Sequence, residues 1–422
     1  MEKYKIIGGN RLEGSITLHG AKNAFLPIMA GSILADGKTV LDDYPIISDI
    51  NKMSDILVSL GCDVKFKDRQ IVINTSSCNK FSISSDLMQG IRASIFMLGP
   101  ILSRFKKAKM AYPGGCAIGN RPIDIHLDGL KALNVKINEE HGQIICDGSN
   151  MKSGHLHLKF ASVGATENLV MASVLLKGTT IIDNVAREPE VVDLCNFLNK
   201  MGANIKGIGT SCLVINGVKS LKSVSYKPIA DRIVAGTYLI AGLMTKGNIE
   251  ICNINPQYLT SLINLFADNN CYIKTFNDKI IVESSKRLKS VPLIETLPYP
   301  NFPTDLQPQI MALMSVSNGV SVITENLFDS RFKQASELIK MGANIKIENN
   351  KAIIKGVKKL SGAEVLSTDL RAGASLALAG LVADGYTTVG NIHYISRGYE
   401  NIQEDLNNLG AKISKIEVWY EK

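Results

Sequence analysis

The sequence predicts an α/β protein built from about six copies of a βαβαββ unit, arranged in two domains. Three observations support this prediction. A glycine-containing segment recurs at a fixed interval, a helix that is apolar all round occurs in every copy, and the N-terminal residues match a strand pair near the C-terminus. Helices are therefore expected in the core, with sheets around them.

The recurring segment ends an amphipathic helix at a glycine. Its clear copies contain Gly61, Gly202, Gly342 and Gly410, and weaker copies, LKALNVKINE and LFADNNCYIK, fill the two gaps. The clear copies lie roughly 140, 140 and 70 residues apart, so the period is about 70 residues. A fixed period of this size indicates one supersecondary unit used repeatedly.

An almost entirely apolar run precedes a turn and a strand in each copy. A helix with this pattern must be buried, because it has no polar face for water. The amphipathic helix is expected to cover the outside of a sheet instead. The buried runs are AFLPIMAGSILA, RASIFMLGPIL, NLVMASVLL, RIVAGTYLIAGLM, QIMALMSV and AGASLALAGLV.

The ends of the chain predict a discontinuous domain. The N-terminal YKIIGGNRLEGSITL matches KAIIKGVKKLSGAEVL in the fifth copy. The first residues should therefore complete the sixth copy, whose last strand is missing. We assign residues 1–21 and 230–422 to one domain and 22–229 to an inserted domain. Two crossings between domains predict a hinge, and a cleft between domains is a common place for a binding site.

Composition excludes several functional classes. The 422 residues are 45% hydrophobic and 20% charged, which predicts a soluble globular protein. The apolar runs are too short to cross a bilayer, and the start lacks a secretory apolar region. Eight cysteines without a CxxC pair or a Cys/His cluster predict reduced thiols, a cytoplasmic location and no metal site. The net charge of +8 is dispersed, which favours a small anionic substrate over nucleic acid.

Charged residues recur just before the buried runs. Because helix N-termini bind anions, cations there indicate an anion site. For Lys22, Arg92 and Arg371 function is favoured over a structural role, since a cation opposes the helix dipole. For Asp231 and Asp369 helix capping is favoured over chemistry.

Two further residues remain open between structural and chemical roles. Asp305 follows three prolines, and this rigid approach to a helix would suit a positioned base as well as a cap. Cys116 lies in PGGCAIGNRP, a composition typical of a loop. A loop thiol near a cation suggests reactivity, but a merely tolerated cysteine is equally compatible with the residues alone.

Together the motifs resemble the UDP-N-acetylglucosamine enolpyruvyl transferases of bacterial cell-wall synthesis, over essentially the whole chain. The motifs that carry this resemblance are GAKNA, PGGCAIGNRPIDIHL, SVGATEN, AREPEVVDL, FPTDLQ, TDLRAGASL and ISRGYE. The resemblance implies two inside-out α/β barrel domains that close on substrate. The related 5-enolpyruvylshikimate-3-phosphate synthases share the fold but lack the cysteine loop in this form.

The resemblance also implies a reaction. The enolpyruvyl group of phosphoenolpyruvate moves to the 3-hydroxyl of UDP-N-acetylglucosamine through a tetrahedral ketal, and phosphate is released. This is the first committed step of peptidoglycan synthesis, and fosfomycin inhibits it. The implied partners are these two small molecules, with no cofactor, metal, nucleic acid or membrane. The alternatives are a different acceptor, such as shikimate 3-phosphate, and a non-catalytic regulatory paralogue.

By resemblance, Cys116 is the general acid and can bond to the enolpyruvyl carbon, and Asp305 deprotonates the sugar hydroxyl. Lys22, Arg121 and Arg397 hold the phosphate. The remaining phosphoenolpyruvate ligands are Asn23 and Arg371. The residues implied at the nucleotide-sugar site are Arg92, Arg121, Pro122, Ile123, Asp124, Ile125, Ser162, Val163, Gly164, Asp305 and Leu327. Phe160 departs from the family pattern, because relatives often have lysine there.

Substitution of Cys116 separates proton delivery from thiol nucleophilicity. An aspartate can donate a proton, but its carboxylate attacks an epoxide far less readily than a thiolate does. We therefore expect Cys116→Asp to retain substantial turnover and to resist fosfomycin, and Cys116→Ala to lose turnover. Turnover with and without fosfomycin, and intact mass of the treated wild type, measure this. A fully active alanine variant, or an adduct on another cysteine, would remove Cys116 from the mechanism.

Overall fold

The computed structural model describes residues 2–114, 123–269 and 271–417. The described chain forms two compact units. The terminal unit contains residues 2–19 and 230–417, and the inserted unit contains 20–114 and 123–229. The division after His19 comes two residues before the expected one. Gly20 N donates to Asp43 O at 2.9 Å and Ala21 N to Ile229 O at 2.7 Å, which attaches both residues to the inserted unit.

Helices and strands alternate along the whole described chain. The α-helices are α1 (Lys22–Gly31), α2 (Ser48–Ser59), α3 (Ser85–Gly90), α4 (Leu98–Phe105), α5 (Asp124–Ala132), α6 (Val163–Ser173), α7 (Pro189–Lys200), α8 (Arg232–Met244), α9 (Thr260–Asn264), α10 (Gln307–Val316), α11 (Gln334–Lys340), α12 (Leu370–Val382) and α13 (Ile402–Asn408). Short 3₁₀ helices span Ser32–Leu34, Arg92–Met97, Pro256–Leu259, Thr304–Leu306 and Ile392–Arg397.

The strands of the first half are β1 (Glu2–Ile7), β2 (Glu13–Thr17), β3 (Ala35–Asp36), β4 (Lys38–Asp42), β5 (Asp63–Lys67), β6 (Gln70–Asn74), β7 (Ser82–Ile83), β8 (Lys107–Ala111), β9 (Lys136–Glu140), β10 (Gln143–Asp147), β11 (His155–His157), β12 (Thr179–Asp183), β13 (Asn204–Lys206) and β14 (Cys212–Asn216). Those of the second half are β15 (Leu221–Lys222), β16 (Ser225–Tyr226), β17 (Asn248–Cys252), β18 (Cys271–Thr275), β19 (Lys279–Ser284), β20 (Leu293–Thr296), β21 (Val320–Glu325), β22 (Asn344–Glu348), β23 (Lys351–Lys355), β24 (Leu360–Ser361), β25 (Glu364–Leu366), β26 (Ala383–Asp384), β27 (Tyr386–Gly390) and β28 (Lys412–Glu417).

One sheet topology recurs in both units, and it confirms the predicted βαβαββ unit. The first and second strands of each repeat are parallel, and the fourth strand pairs antiparallel with both the second and the third. The four-stranded sheets of the inserted unit have the orders β16-β4-β6-β5, β7-β8-β10-β9 and β11-β12-β14-β13. Those of the terminal unit are β2-β17-β19-β18, β20-β21-β23-β22 and β25-β27-β1-β28.

The N-terminal strand completes the last repeat, as the sequence match predicts. In β1, Tyr4 lies opposite Val389 of β27 and opposite Lys415 of β28, both in antiparallel register. The next strand, β2, is instead the first strand of the fourth repeat and runs parallel to β17. The chain therefore enters the inserted unit only after contributing to two sheets of the terminal unit.

The apolar helices are buried, as predicted, and each unit has its own hydrophobic core. In the terminal unit α8, α10 and α12 contact one another, and each packs against the strands of one sheet. In the inserted unit α4 packs on α6, and the 3₁₀ helix before α4 contacts α1 and α6. No helix in residues 2–114, 123–269 or 271–417 is long and apolar enough to span a membrane.

Candidate active site

In the terminal unit, the carboxylate of Asp305 lies between two arginines. Asp305 is in the 3₁₀ turn that leads into α10. Its Oδ1 accepts from Arg331 Nη2 at 2.9 Å and its Oδ2 from Arg371 Nη2 at 3.1 Å. The arginine side chains are 2% and 3% exposed, whereas that of Asp305 is 29% exposed. Asp305 is thus a partly exposed carboxylate held by two buried cations.

The two arginines are themselves fixed. Arg331 also donates to Thr304 O from Nε at 3.2 Å and from Nη2 at 3.1 Å. Burial alone would lower the pKa of Arg371, but the charge of Asp305 and contact with Tyr399 outweigh it, so the pKa is raised. The guanidinium of Arg371 therefore remains charged beside the carboxylate.

The other two aspartates at helix starts are caps, which confirms the favoured interpretation. Asp369 Oδ1 accepts from Arg371 N at 2.9 Å and Ala372 N at 3.1 Å. Asp231 Oδ1 accepts likewise from two backbone N–H groups of α8, at 2.8 and 3.0 Å. The cap formed by Asp369 fixes the first turn of α12, which contains Arg371.

Glu325 joins the Asp305 turn to the segment that contains Leu327. Its Oε2 accepts from Thr304 Oγ1 at 2.9 Å, and its Oε1 accepts from Leu327 N at 2.9 Å. Leu327, predicted at the nucleotide-sugar site, is therefore fixed near Asp305. Arg397, a predicted phosphate ligand, is the last residue of a 3₁₀ helix in the same unit and is half-buried.

In the inserted unit, Lys22 and Asn23 are the first two residues of α1 and both are half-buried. Lys22 Nζ lies 3.2 Å from Asp49 Oδ2, and the side chains are 13% and 2% exposed. Asp49 is in the first turn of α2, where the helix dipole favours a carboxylate. The ion pair therefore stabilises a cation at the start of α1, where the dipole alone would disfavour it.

Arg92 is the first residue of a 3₁₀ helix, where a continuous helix was expected. Asn168 causes this difference, because its side chain inserts into the helical ladder. Its Nδ2 donates to Ile95 O at 2.8 Å and its Oδ1 accepts from Gly99 N at 2.8 Å, so the amide replaces the direct bond between these backbone groups. Asn168 Nδ2 also lies 2.8 Å from His126 Nδ1. A fully buried side chain thus determines where the Arg92 turn ends and α4 begins.

The predicted nucleotide-sugar residues of the inserted unit lie at two helix starts. Ser162 caps α6 by accepting from Ala165 N at 3.3 Å, and Val163 and Gly164 follow it. A Cβ at Gly164 would lie 3.2 Å from the His126 ring, so the start of α6 is close to α5. The residues at the start of α5 are Ile123, which is buried, Asp124, which is exposed, and Ile125, which is half-buried. Phe160 is 45% exposed.

The remaining predicted site residues, Cys116, Arg121 and Pro122, lie outside the described residues. Sequence reasoning missed three residues that contact the predicted site residues or their neighbours. These are Arg331, which contacts Asp305, Glu325, which contacts Thr304, and Asp49, which contacts Lys22. Arg331 and Glu325 do not lie at the start of a buried helix, which is the position that the repeat marks for charged residues. Asp49 had a usable signal, since it is an acid in the first turn of an amphipathic helix.

One buried acid near these helix starts has an unusual environment. Glu167 in α6 is completely buried, and its two carboxylate oxygens have no hydrogen-bond partner among the described residues. Burial raises the pKa of Glu167 well above its ordinary value, and Glu190 and Glu188 raise it further. The folded protein therefore favours the protonated, neutral form of this side chain.

The fold and these charged helix starts define the class of protein. The chain belongs to the enolpyruvyl transferase family: the model of EPSP synthase (3-phosphoshikimate 1-carboxyvinyltransferase) matches residues 6–406. The predicted resemblance is therefore confirmed at the level of the family.

Individual relatives are similar over their whole length. The chain is 48% identical over 416 residues to UDP-N-acetylglucosamine 1-carboxyvinyltransferase 2 of Caldanaerobacter subterraneus subsp. tengcongensis, covering 99% of this chain and 100% of the relative. It is 47% identical over 418 residues, with the same coverage, to the enzyme of that name from Carboxydothermus hydrogenoformans. Among solved structures, the enolpyruvyl transferase NikO from Streptomyces tendae has a TM-score of 0.88 at 23% identity, covering 98% of both chains, which shows a common fold.

Replacement of Glu167 should change how stability depends on pH. A raised folded-state pKa contributes stability that is complete below the unfolded pKa of about 4.3 and is lost as pH rises through the folded pKa. Because glutamine does not titrate, the Glu167→Gln variant does not lose this stability as pH rises. Its unfolding free energy relative to wild type should therefore increase from pH 5 to pH 8, by about 1 kcal/mol or more. Urea titrations across this range measure it, with the exposed Glu140→Gln as control. A constant difference between Glu167→Gln and wild type would contradict the raised pKa.

Proposed function

We propose that this protein transfers the enolpyruvyl group of phosphoenolpyruvate to the 3-hydroxyl of UDP-N-acetylglucosamine and releases phosphate. The observation that carries the proposal is the Asp305 carboxylate, held by Arg331 and Arg371 in a chain 48% identical throughout to a UDP-N-acetylglucosamine 1-carboxyvinyltransferase. We place the reaction in the cytoplasm, as the first committed step of peptidoglycan synthesis. The free cysteines of the described chain fit a reducing compartment.

Asp305 is the proposed base. Two buried cations hold its carboxylate, and its side chain is 29% exposed, so that a sugar hydroxyl could reach it. Since both oxygens already accept from rigid, buried donors, the carboxylate is oriented before substrate arrives. A base that is positioned in advance loses little conformational freedom at the transition state.

The cations are the proposed ligands of the two acidic groups of phosphoenolpyruvate. Lys22 and Arg397, with Arg121, would bind the phosphate, and Asn23 and Arg371 would complete the site. The nucleotide sugar would contact Arg92, the starts of α5 and α6, and Leu327. Arginine and lysine supply the positive charge that phosphate needs as it leaves, so the proposal uses neither a metal nor a cofactor.

Cys116 is the proposed acid that protonates the enol carbon. Addition of the sugar oxygen and this proton gives the tetrahedral ketal, in which the former enol CH2 is a methyl group. Loss of a proton from that methyl group, together with departure of phosphate, re-forms the double bond and gives the enolpyruvyl ether.

Phosphate release with a panel of acceptors tests this function. The protein should release phosphate from phosphoenolpyruvate when UDP-N-acetylglucosamine is present. Release only with shikimate 3-phosphate would establish the alternative acceptor. No release with either acceptor, while UDP-N-acetylglucosamine still binds, would favour a non-catalytic paralogue.

The variant Asp305→Asn tests the base directly. The amide keeps the shape of the side chain but cannot take a proton at neutral pH, so turnover should fall by roughly two or more orders of magnitude. Binding of UDP-N-acetylglucosamine should persist. Turnover, calorimetric binding and melting temperature are measured together. A loss of stability of about 1 kcal/mol with turnover retained would show that Asp305 has only a structural role.

A further inference from the structure

The hydroxyl of Tyr399 lies at the centre of a buried hydrogen-bond network behind Arg371. Tyr399 is 3% exposed. Its Oη is 2.7 Å from Thr237 Oγ1, 3.3 Å from Gln309 Nε2 and 3.5 Å from Arg371 Nη1. The Arg371 guanidinium also faces the Tyr399 ring, with Cζ 5.7 Å from the ring centroid. Tyr399 therefore contacts Arg371 through both its hydroxyl and its π face.

The direction of these hydrogen bonds follows from the proton count. Thr237 donates its single hydroxyl proton to Ile233 O at 2.8 Å. Its Oγ1 must then accept, so Tyr399 donates to Thr237. The Gln309 amide nitrogen and the Arg371 guanidinium can only donate, so Tyr399 Oη accepts from both. All hydrogen-bonding capacity of the tyrosine hydroxyl is used in this arrangement.

The network joins the three buried helices of the terminal unit. Thr237 belongs to α8, Gln309 to α10 and Arg371 to α12. Gln309 Nε2 also donates to Thr237 Oγ1, at 3.1 Å, which closes a ring of contacts with the tyrosine hydroxyl. Because packed helices move little relative to one another, Tyr399 Oη is a fixed point inside the core.

A long arginine side chain needs such a fixed point if it is to hold a partner in one orientation. Arginine loses rotamer entropy when it is fixed, and this loss opposes a single orientation. Arg371 reaches Asp305 through Nη2 only, at 3.1 Å, and the opposite amino group, Nη1, is the one that contacts Tyr399. The tyrosine therefore restricts the guanidinium on the side away from the carboxylate.

We propose that Tyr399 is a positioning residue, which acts through Arg371 to hold the Asp305 carboxylate in its reactive orientation. The inference rests on the proposed function, because that function makes Asp305 the base that deprotonates the sugar hydroxyl. Tyr399 does not touch Asp305, and its effect on turnover must pass through the guanidinium group of Arg371.

The variant Tyr399→Phe removes the hydroxyl and keeps the ring. We expect kcat/KM for phosphoenolpyruvate to fall about tenfold, because Arg371 gains conformations in which it leaves Asp305. In an Arg371→Lys background the guanidinium group that Tyr399 restrains is already absent. There, Tyr399→Phe should lower kcat/KM for phosphoenolpyruvate less than about twofold. Equal losses in the two backgrounds would show that Tyr399 does not act through Arg371.

Tyr238→Phe is the matched control. Tyr238 is another buried tyrosine of the same unit, and its hydroxyl donates to Asp405 Oδ2 at 2.5 Å. This substitution also removes a buried hydroxyl, and the melting temperatures of the two variants should fall to a similar extent. Turnover of Tyr238→Phe should stay within about twofold of wild type. If it falls as far as that of Tyr399→Phe, general loosening of the core explains both and the positioning role is wrong.

A measurement that needs no turnover separates this inference from the proposed function. In ¹⁵N-arginine-labelled protein, the Arg371 side-chain signals are assigned by their loss in Arg371→Lys. Restricted rotation should give resolved Nη signals in wild type and in Tyr238→Phe, and exchange-averaged signals in Tyr399→Phe. Unchanged signals in Tyr399→Phe would overturn the inference. An inactive wild type with the expected signals would instead refute the proposed function and leave the Tyr399–Arg371 restraint established.

Discussion

The ion pairs of Asp305 with two buried arginines constrain much of the terminal unit. A guanidinium removed from water is unfavourable unless an anion and further acceptors compensate for the lost hydration. Arg371 meets this requirement in part, with Asp305 and Tyr399, although its Nε has no partner among the described residues, and Arg331 meets it with Asp305 and Thr304 O. The apolar helices can therefore bury charge because each charged group meets a partner from a different element. The same pairs orient one carboxylate that remains partly exposed.

The repeat explains why polar groups gather at helix starts in both units. Each repeat brings the beginning of a buried helix to an equivalent position, and that end of the helix has unpaired N–H groups. Asp231 and Asp369 cap their helices by accepting hydrogen bonds from these groups, whereas Lys22 at the start of α1 is a cation paired with Asp49. One repeated architectural position thus holds either a capping carboxylate or a cation, depending on the residue that occupies it.

The sequence predicted what depends on periodicity and local chemistry, and it failed where distant residues decide. The βαβαββ unit and the completion of the last sheet by β1 follow from the repeat, and the two aspartate caps follow from patterns within a few residues. The 3₁₀ turn at Arg92 does not, because Asn168, a residue of another helix, interrupts the ladder. Arg331 likewise reaches Asp305 across 26 residues, and nothing in its neighbourhood marks it. The roles of Cys116 and its neighbours rest on resemblance alone.

The proposed function depends above all on Asp305, held by two arginines, as the group that takes the proton of the acceptor hydroxyl. A crystal structure of the protein with UDP-N-acetylglucosamine bound tests this most directly. We expect a carboxylate oxygen of Asp305 within hydrogen-bonding distance, about 3 Å, of the sugar 3-oxygen, with Arg371 still bound to the carboxylate. A nucleotide sugar bound with its 3-hydroxyl away from Asp305, against another basic side chain, would contradict it.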